Sequence, residues 1–137
     1  MWTSLRRFFT SSGWFGDLGE REAARFLRKK GYRIRQMQMR NRLGEIDLIA
    51  LDGKTIVFVE VKSRSSAGQG APHEAVTADK QRRLTNAALA YLKRHRLLER
   101  PSRFDVVSIV WPPGAARPSI EHFPSAFEAV GRGQMYS

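Results

Sequence analysis

Gly44-Glu45-Ile46-Asp47-Leu48-Ile49-Ala50, followed after a short turn by Val57-Phe58-Val59-Glu60-Val61-Lys62-Ser63-Arg64, decides how this chain is read. Residues 43–51 and 55–62 are apolar at nearly every position, the pattern of strands covered on both faces. Asp52-Gly53 between them is a preferred dipeptide for a tight hairpin turn, so the two strands are expected to pair at the centre of a sheet. Side chains alternate faces along a strand. Ile56, Phe58, Glu60 and Lys62 therefore point one way, Val57, Val59 and Val61 the other, and on the facing strand Glu45, Asp47 and Ile49 share a face. An Asp52-Gly53 loop sets Glu45 opposite Glu60 and leaves Asp47 and Glu60 as diagonal neighbours, roughly 7–8 Å apart by backbone. A four-residue loop sets Asp47 directly opposite Glu60. Either loop brings Asp47, Glu60 and Lys62 to one face.

Two carboxylates held close on a half-buried strand pair repel, and at least one is expected to have a raised pKa. A bound divalent cation, a nearby ammonium or exposure at the sheet end would relieve the repulsion. A hard cation such as Mg²⁺, or Mn²⁺ in its place, needs one or two protein carboxylates, with waters and a substrate phosphate completing its shell. Lys62, two residues beyond Glu60, would then orient or deprotonate an attacking water or steady developing phosphorane charge. The plainer alternative is a salt bridge between Glu60 and Lys62 within the sheet. Asp47 on the facing strand, the apolar run before Glu60 and the basic chain around them favour the metal site.

Outward from this hairpin, Asp17–Lys30 reads as a helix, with Asp17 as its cap, Glu20 three residues on and Gly31 as a left-handed stop. Ala23, Phe26, Leu27 and the stem of Lys30 share its apolar face. Tyr32–Met39 alternates as a first strand, with Tyr32, Ile34 and Gln36 set against Arg33, Arg35 and Met37. Ser63–His73 is a Ser- and Gly-rich loop. Thr77 opens a second long helix to about Arg96, with Leu84, Ala87, Ala88, Tyr91 and Leu92 inward. Phe104–Trp111 is a strand stopped by Pro112-Pro113, and Ser119–Phe123 a short edge strand. The expected fold class is α/β: α-β-β-β-α-β, a mixed central sheet flanked by helices. Residues 1–15 read as an N-terminal extension, 16–125 as the domain and 126–137 as a tail. Within the extension Trp2, Leu5 and Phe9 fall at helical spacing and suit a short docking helix.

Composition bounds the function. At 137 residues the chain is one domain, and its absence of cysteine excludes disulfide scaffolds, thiolate metal sites and cysteine nucleophiles. Lys and Arg number 24 against 13 Asp and Glu, a net charge of +11, and eighteen of the 24 are arginine, whose planar fork pairs with phosphate. A nucleic-acid partner is the expectation, against the alternative of a proteome that simply favours arginine on surfaces. Residues 1–42 carry +8 and 63–137 carry +5, whereas 43–62 carry −2: an acidic island in a basic chain. No apolar run is long enough to span a membrane, and residues 1–16 lack the apolar core and cleavage site of a secretory signal, so the expected location is cytoplasmic. None of His73, His95 and His122 has a metal-ligand partner at useful spacing, and all three are expected at the surface.

The hairpin motifs, together with Gly19-Glu20, Ala23 and Leu27 to Gly31-Tyr32 upstream and Val76, Lys80, Leu84, Ala88, Tyr91-Leu92 and Arg103-Phe104-Asp105-Val106-Val107 downstream, resemble the YraN-like family of uncharacterised bacterial proteins. The likeness covers about residues 16–125. By resemblance that family belongs to the PD-(D/E)xK nuclease superfamily and is similar to archaeal Holliday junction resolvases, which implies a restriction-endonuclease-like core. It further implies that Asp47 and Glu60 ligate the metal, that Lys62 acts on the water or phosphate, and that Glu20 is an additional acid aimed into the site. Glu20 also fits a plain capping box with Asp17. One departure stands out: Gln38 occupies the place of an expected asparagine. Ile46 rather than proline precedes Asp47, as is normal for this branch.

Glu45 shares the site face and is either a supporting carboxylate or a salt-bridge partner of Arg42 or Arg64. Arg64 and Lys80, with Arg82 and Arg83, are candidates for gripping a phosphate backbone, and Arg82 and Arg83 also read as a solvated helix face. Trp111 is expected at the core edge. The expected activity is metal-dependent DNA endonuclease chemistry, on branched or otherwise structured DNA. The alternative is a non-catalytic nucleic-acid-binding protein that keeps the nuclease fold; a third reading is a scaffold that docks an acidic protein. A homodimer would suit a junction-cutting enzyme, which needs two sites.

Overall fold

The computed structural model describes residues 13–64, 76–114 and 117–130. Elements run α1 (Gly13–Lys29), β1 (Arg33–Asn41), β2 (Gly44–Asp52), β3 (Thr55–Arg64), α2 (Ala78–Arg94), β4 (Ser102–Val110) and β5 (Ser119–Phe127). The five strands form one mixed sheet in the order β1-β2-β3-β4-β5, antiparallel except for the parallel pair β3–β4 that α2 bridges. The expected α/β layout with β2 and β3 central is what is found. The expected docking helix around Trp2–Phe9, residues 65–73 of the expected Ser63–His73 loop and the part of the expected tail beyond residue 130 lie outside the described residues; Ser63 and Arg64, expected in that loop, end β3 instead, and residues 126–127 of the expected tail end β5.

Each helix buries one stripe on one face of the sheet. Ala23, Ala24 and Leu27 of α1 pack on Leu48, Ala50, Val57, Val59, Val107 and Ile109. Leu84, Ala87, Ala88, Tyr91 and Leu92 of α2, the positions expected inward, pack on Ile46, Ile49, Ile56, Phe58, Phe104 and Val106. With both faces covered, residues 56–60 are buried at every position, which is why their sequence does not alternate. Thr77 caps α2 by accepting the Lys80 amide at 3.1 Å.

Several local readings are corrected. Helix α1 begins at Gly13, so Asp17 is inside the helix rather than at its cap, and the capping-box reading of Glu20 falls with it. Lys30 lies just past the last helical residue; its stem adjoins the Phe26 ring, while Gly31 (φ +98°) ends the helix as expected and the Tyr32 amide reaches back to Leu27. The β2–β3 turn is Gly53-Lys54, with Asp52 paired to Thr55, so the register is that of the four-residue alternative. Gly53 adopts φ +61°, a conformation open to glycine that lets Asp52 stay in the ladder.

A further correction concerns β1. A bulge between Ile34 and Gln36 and a left-handed Gln38 (φ 55°) break the simple alternation, so that Met37 and Met39, not Gln36, supply apolar contacts to the two sides of the sheet. Another concerns β5, which extends beyond Phe123 to Phe127 across a bulge opposite Asp105. Pro124 there has no N–H to offer, and the displaced Ser125 amide is accepted by the Asp105 carboxylate at 3.0 Å. His122, expected at the surface, has a side chain only 2% exposed and holds Asp105 through Nε2 at 2.8 Å. Its Nδ1 lies 2.8 Å from the Lys30 ammonium. His95 is exposed as expected.

Candidate functional site

The ladder between β2 and β3 is continuous from Asp52↔Thr55 to Leu48↔Val59, and Asp47 is the next residue along β2. There Asp47 Oδ2 accepts the Val61 amide at 2.8 Å, so a side chain takes the place of a ladder carbonyl. This fixes the Asp47 carboxylate against β3 next to Glu60, which is buried. Gly44, Glu45, Asp47, Glu60, Lys80, Arg83 and the flanking Leu43 and Leu84 line a cavity of about 180 Å³. Gly44 faces α2, where a Cβ would make ordinary van der Waals contact with Ala87 and the Arg83 carbonyl at 3.5 Å.

Charge in this cavity is frustrated. Burial, then the Glu60 and Glu20 carboxylates, push Asp47 well above the usual carboxylate range, offset only in part by the Val61 amide and Lys80. Lys80, in the first turn of α2, seats its ammonium 2.8 Å from Glu60 Oε2. Burial alone would pull Lys80 down, but Glu60, by charge and hydrogen bond, and Asp47 hold it above its ordinary value. Lys62 approaches the same Glu60 oxygen at 3.7 Å and is 27% exposed. Both cations therefore meet Glu60, and the helical one makes the shorter contact.

Glu20 is 3% exposed and accepts Gln38 Nε2 at 2.6 Å; the same amide nitrogen lies 3.0 Å from Asp17 Oδ1. The left-handed Gln38, noted in the sequence only as a departure, is the residue whose amide donates to Glu20. Its signal was the failing alternation of β1, which required an irregular residue somewhere along the strand. Glu45 pairs with Arg40 across β1 and stands in the cavity wall. Arg83 borders the cavity and also approaches Asp79 at 3.4 Å, whereas Arg82 is paired with Asp79 at 3.0 Å. Arg64 ends β3 with its Nε buried and without a hydrogen-bond partner among the described residues. Trp111 packs at the core edge as expected and donates Nε1 to Ser63 Oγ at 2.8 Å. Among the described residues no three His or acidic side chains gather closely enough to form a metal-holding group. None of the described helices is long and apolar enough to cross a membrane.

A family model for the uncharacterised protein family UPF0102 matches residues 19–109, the span from Gly19 to Ile109 that contains Glu20, Glu45, Asp47, Glu60, Lys62 and Lys80. The chain belongs to the UPF0102 family. The YraN-like resemblance thus holds at the level of the family. Among its relatives, a UPF0102 protein of Geobacter metallireducens is 49% identical over 113 residues, covering 82% of this chain and 91% of the relative. One from Syntrophus aciditrophicus is 51% identical over 118 residues, covering 85% and 91%, and one from Rhodopirellula baltica 48% over 124 residues, covering 88% and 74%.

The first matched residue of this UPF0102 protein has a mechanical role. A Cβ on Gly19 would lie 2.9 Å from Ser63 Oγ and 3.1 Å from Ser63 Cβ, so glycine lets α1 approach β3 and delivers Glu20, the next residue, toward Asp47. Gly19→Ala is expected to cost about 1–3 kcal/mol, as overpacking does, read as a lower midpoint in urea at unchanged slope. A Gly19→Ala variant as stable as wild type would refute the close-approach account.

Proposed function

We propose that this UPF0102 protein is a metal-dependent DNA endonuclease hydrolysing phosphodiester bonds in branched or otherwise structured DNA, with a restriction-endonuclease-like core of the PD-(D/E)xK kind. The observation that carries this reading is the convergence of Asp47 and Glu60, from adjacent central strands, on one small cavity where Asp47 is pushed well above the usual carboxylate range. A fold that needed only to bind polyanion, or to dock an acidic protein, gains nothing from two repelling carboxylates held in one small cavity. The element order and the +11 charge support the same reading.

Two hard carboxylate donors opening on a small polar cavity suit a cation that keeps most of its water, as Mg²⁺ or Mn²⁺ does. Asp47 and Glu60 would hold it, with Glu20 adding negative charge from α1 and Glu45 supporting from the cavity wall. When bound, the cation supplies a more acidic water and neutralises charge at the phosphate. Lys62 orients the attacking water or takes its proton, and Lys80 and Lys62 stabilise negative charge growing on the phosphate. Arg64, Lys80, Arg82 and Arg83 contact the flanking strand, each cation releasing condensed counterions on binding.

One observation favours the alternative of a non-catalytic nucleic-acid-binding protein: the Lys80 ammonium already neutralises Glu60. Labelled single-stranded, duplex, flap and four-way-junction DNA, incubated with the protein in Mg²⁺, Mn²⁺ or EDTA, separates the two readings. Cutting in either metal and none in EDTA supports the nuclease. Tight binding without cleavage of any substrate would move the conclusion to the binding protein.

The same repulsion predicts a stability effect. A carboxyl whose folded pKa is raised contributes stability below its unfolded value near 3.8 and loses it as pH rises through the folded value. In chelated buffer Asp47→Asn should therefore melt at a higher temperature than wild type at pH 7–8, the gap closing as pH falls toward 4. A variant less stable than wild type at neutral pH would contradict the frustrated-charge account.

A further inference from the structure

A second concavity, of about 680 Å³, lies beside the carboxylate cavity between β1 and the C-terminal end of α2. The two hollows share Leu43, in the β1–β2 turn, as a wall. Arg40 and Arg42 enter the larger one from the strand side, and Tyr91, Arg94 and His95 from the helix side. All three arginines are exposed, and among the described residues no ion pair engages them. The acids of the neighbourhood are drawn into the smaller cavity, so the larger groove keeps its positive sign.

Its helical wall is aromatic. Tyr91 is 4% exposed and fixed from behind by an edge contact with Phe58 and by Arg35 Nε donating to its hydroxyl. The exposed His95 ring leans against it, with centroids 4.3 Å apart and the ring planes inclined at 41°. A flat ring backed by an immobile one presents its outer face as a platform, at little further loss of conformational freedom on binding. A platform of base-sized area with guanidiniums on both sides is the combination that single-stranded nucleic acid requires: a π-face for a base and cations for the phosphates flanking it. In a duplex the bases are stacked on one another and closed to such a ring.

We propose that this groove holds an unpaired nucleotide of the bound strand, its base stacked on His95 and its phosphates on Arg40, Arg42 and Arg94. This rests on the reading of the adjacent cavity as a phosphodiester-cutting site and specifies its substrate: a strand with a single-stranded segment next to the scissile bond.

Binding is measured without metal, so that it is independent of hydrolysis. Fluorescence anisotropy of a fluorescein-labelled dT12 single strand and of a labelled 12-base-pair duplex, both in EDTA, compares wild type with His95→Ala and Arg94→Ala; both positions are exposed, and far-UV circular dichroism checks that the variants fold. His95→Ala is expected to weaken single-strand binding by at least about fivefold and duplex binding by less than about twofold. Arg94→Ala is expected to weaken both and to lower the slope of log affinity against log salt by about one. Equal effects of His95→Ala on both probes, an unchanged salt slope in Arg94→Ala, or no single-strand binding by wild type would overturn the proposal. Selective loss in His95→Ala from a protein that cuts nothing in any metal would sustain the groove and remove the nuclease. Cleavage by a protein whose single-strand binding ignores His95 would do the reverse.

Discussion

On the proposed nuclease reading, Asp47→Ala is expected to abolish metal-dependent cleavage, lowering the rate on the best DNA substrate on the order of 10³-fold or more, or about 4 kcal/mol of transition-state stabilisation. The size follows from position. Asp47 is held by the Val61 amide against β3 and is the carboxylate that faces both Glu60 and Glu20, so its loss removes half of the donor pair and leaves Lys80 without one of its counter-charges. The fold is expected to survive, because at neutral pH the lost side chain was itself repelled by its neighbours. Circular dichroism and melting beside the cleavage assay make the two halves separable: a folded, inactive variant is the expected result. A folded variant that cuts at the wild-type rate would place the chemistry elsewhere.

The largest loss of stability is expected from Asp105→Ala, at the other end of the sheet's polar network. Asp105 is fully buried, and its carboxylate accepts Arg103 Nε at 3.0 Å, His122 Nε2 at 2.8 Å and the Ser125 amide at 3.0 Å. Arg103 also reaches Asp52 at 3.1 Å and the Tyr32 hydroxyl at 2.7 Å, so one carboxylate anchors the bulged edge strand β5 to β4 and, through Arg103, to the turn of the central hairpin. Alanine would take the acceptor from Arg103 Nε, His122 Nε2 and the Ser125 amide and leave Asp52 as the carboxylate partner of Arg103, at a cost of about 3–5 kcal/mol and a fall in Tm of about 10–20 °C. Burial raises the Asp105 pKa, but the hydrogen bonds from His122, Arg103 and Ser125 and the Arg103 charge outweigh it and hold the carboxyl below the usual range. A lowered folded pKa contributes stability above the unfolded value and loses it as pH falls through the folded one. The gap between wild type and variant should therefore narrow below about pH 4. A constant gap down to pH 2 would show that the ionised carboxylate is not what holds the strand.

The central hairpin was legible because its information is local. Unbroken runs of β-branched and aliphatic residues mark strands covered on both faces, and the parity of Asp47, Glu60 and Lys62 puts them on one face whichever even loop joins them. Helix α2 was legible from the Thr77 cap and the spacing of Leu84, Ala87, Ala88, Tyr91 and Leu92. Irregular positions were not legible. The β1 bulge, the left-handed Gln38 and the bulge opposite Asp105 follow from packing demands, and in the sequence each appears only as imperfect alternation.

The sequence by itself determined the α/β class, the pairing of the two central strands and the candidate carboxylates, since periodicity and residue type act within a few residues of chain. Tertiary structure alone decided the rest. It decided between the two readings of Glu20, helix cap or site-facing acid, in favour of a buried acid that accepts from Gln38, set Lys80 rather than Lys62 at the shorter distance from Glu60, and drew His122 inside to meet Asp105. Each of these pairs joins residues on different elements, whose meeting depends on how closely helices seat on the sheet. That distance is set by contacts such as Gly19 on Ser63, between residues 44 positions apart, where no periodicity along the chain can report it.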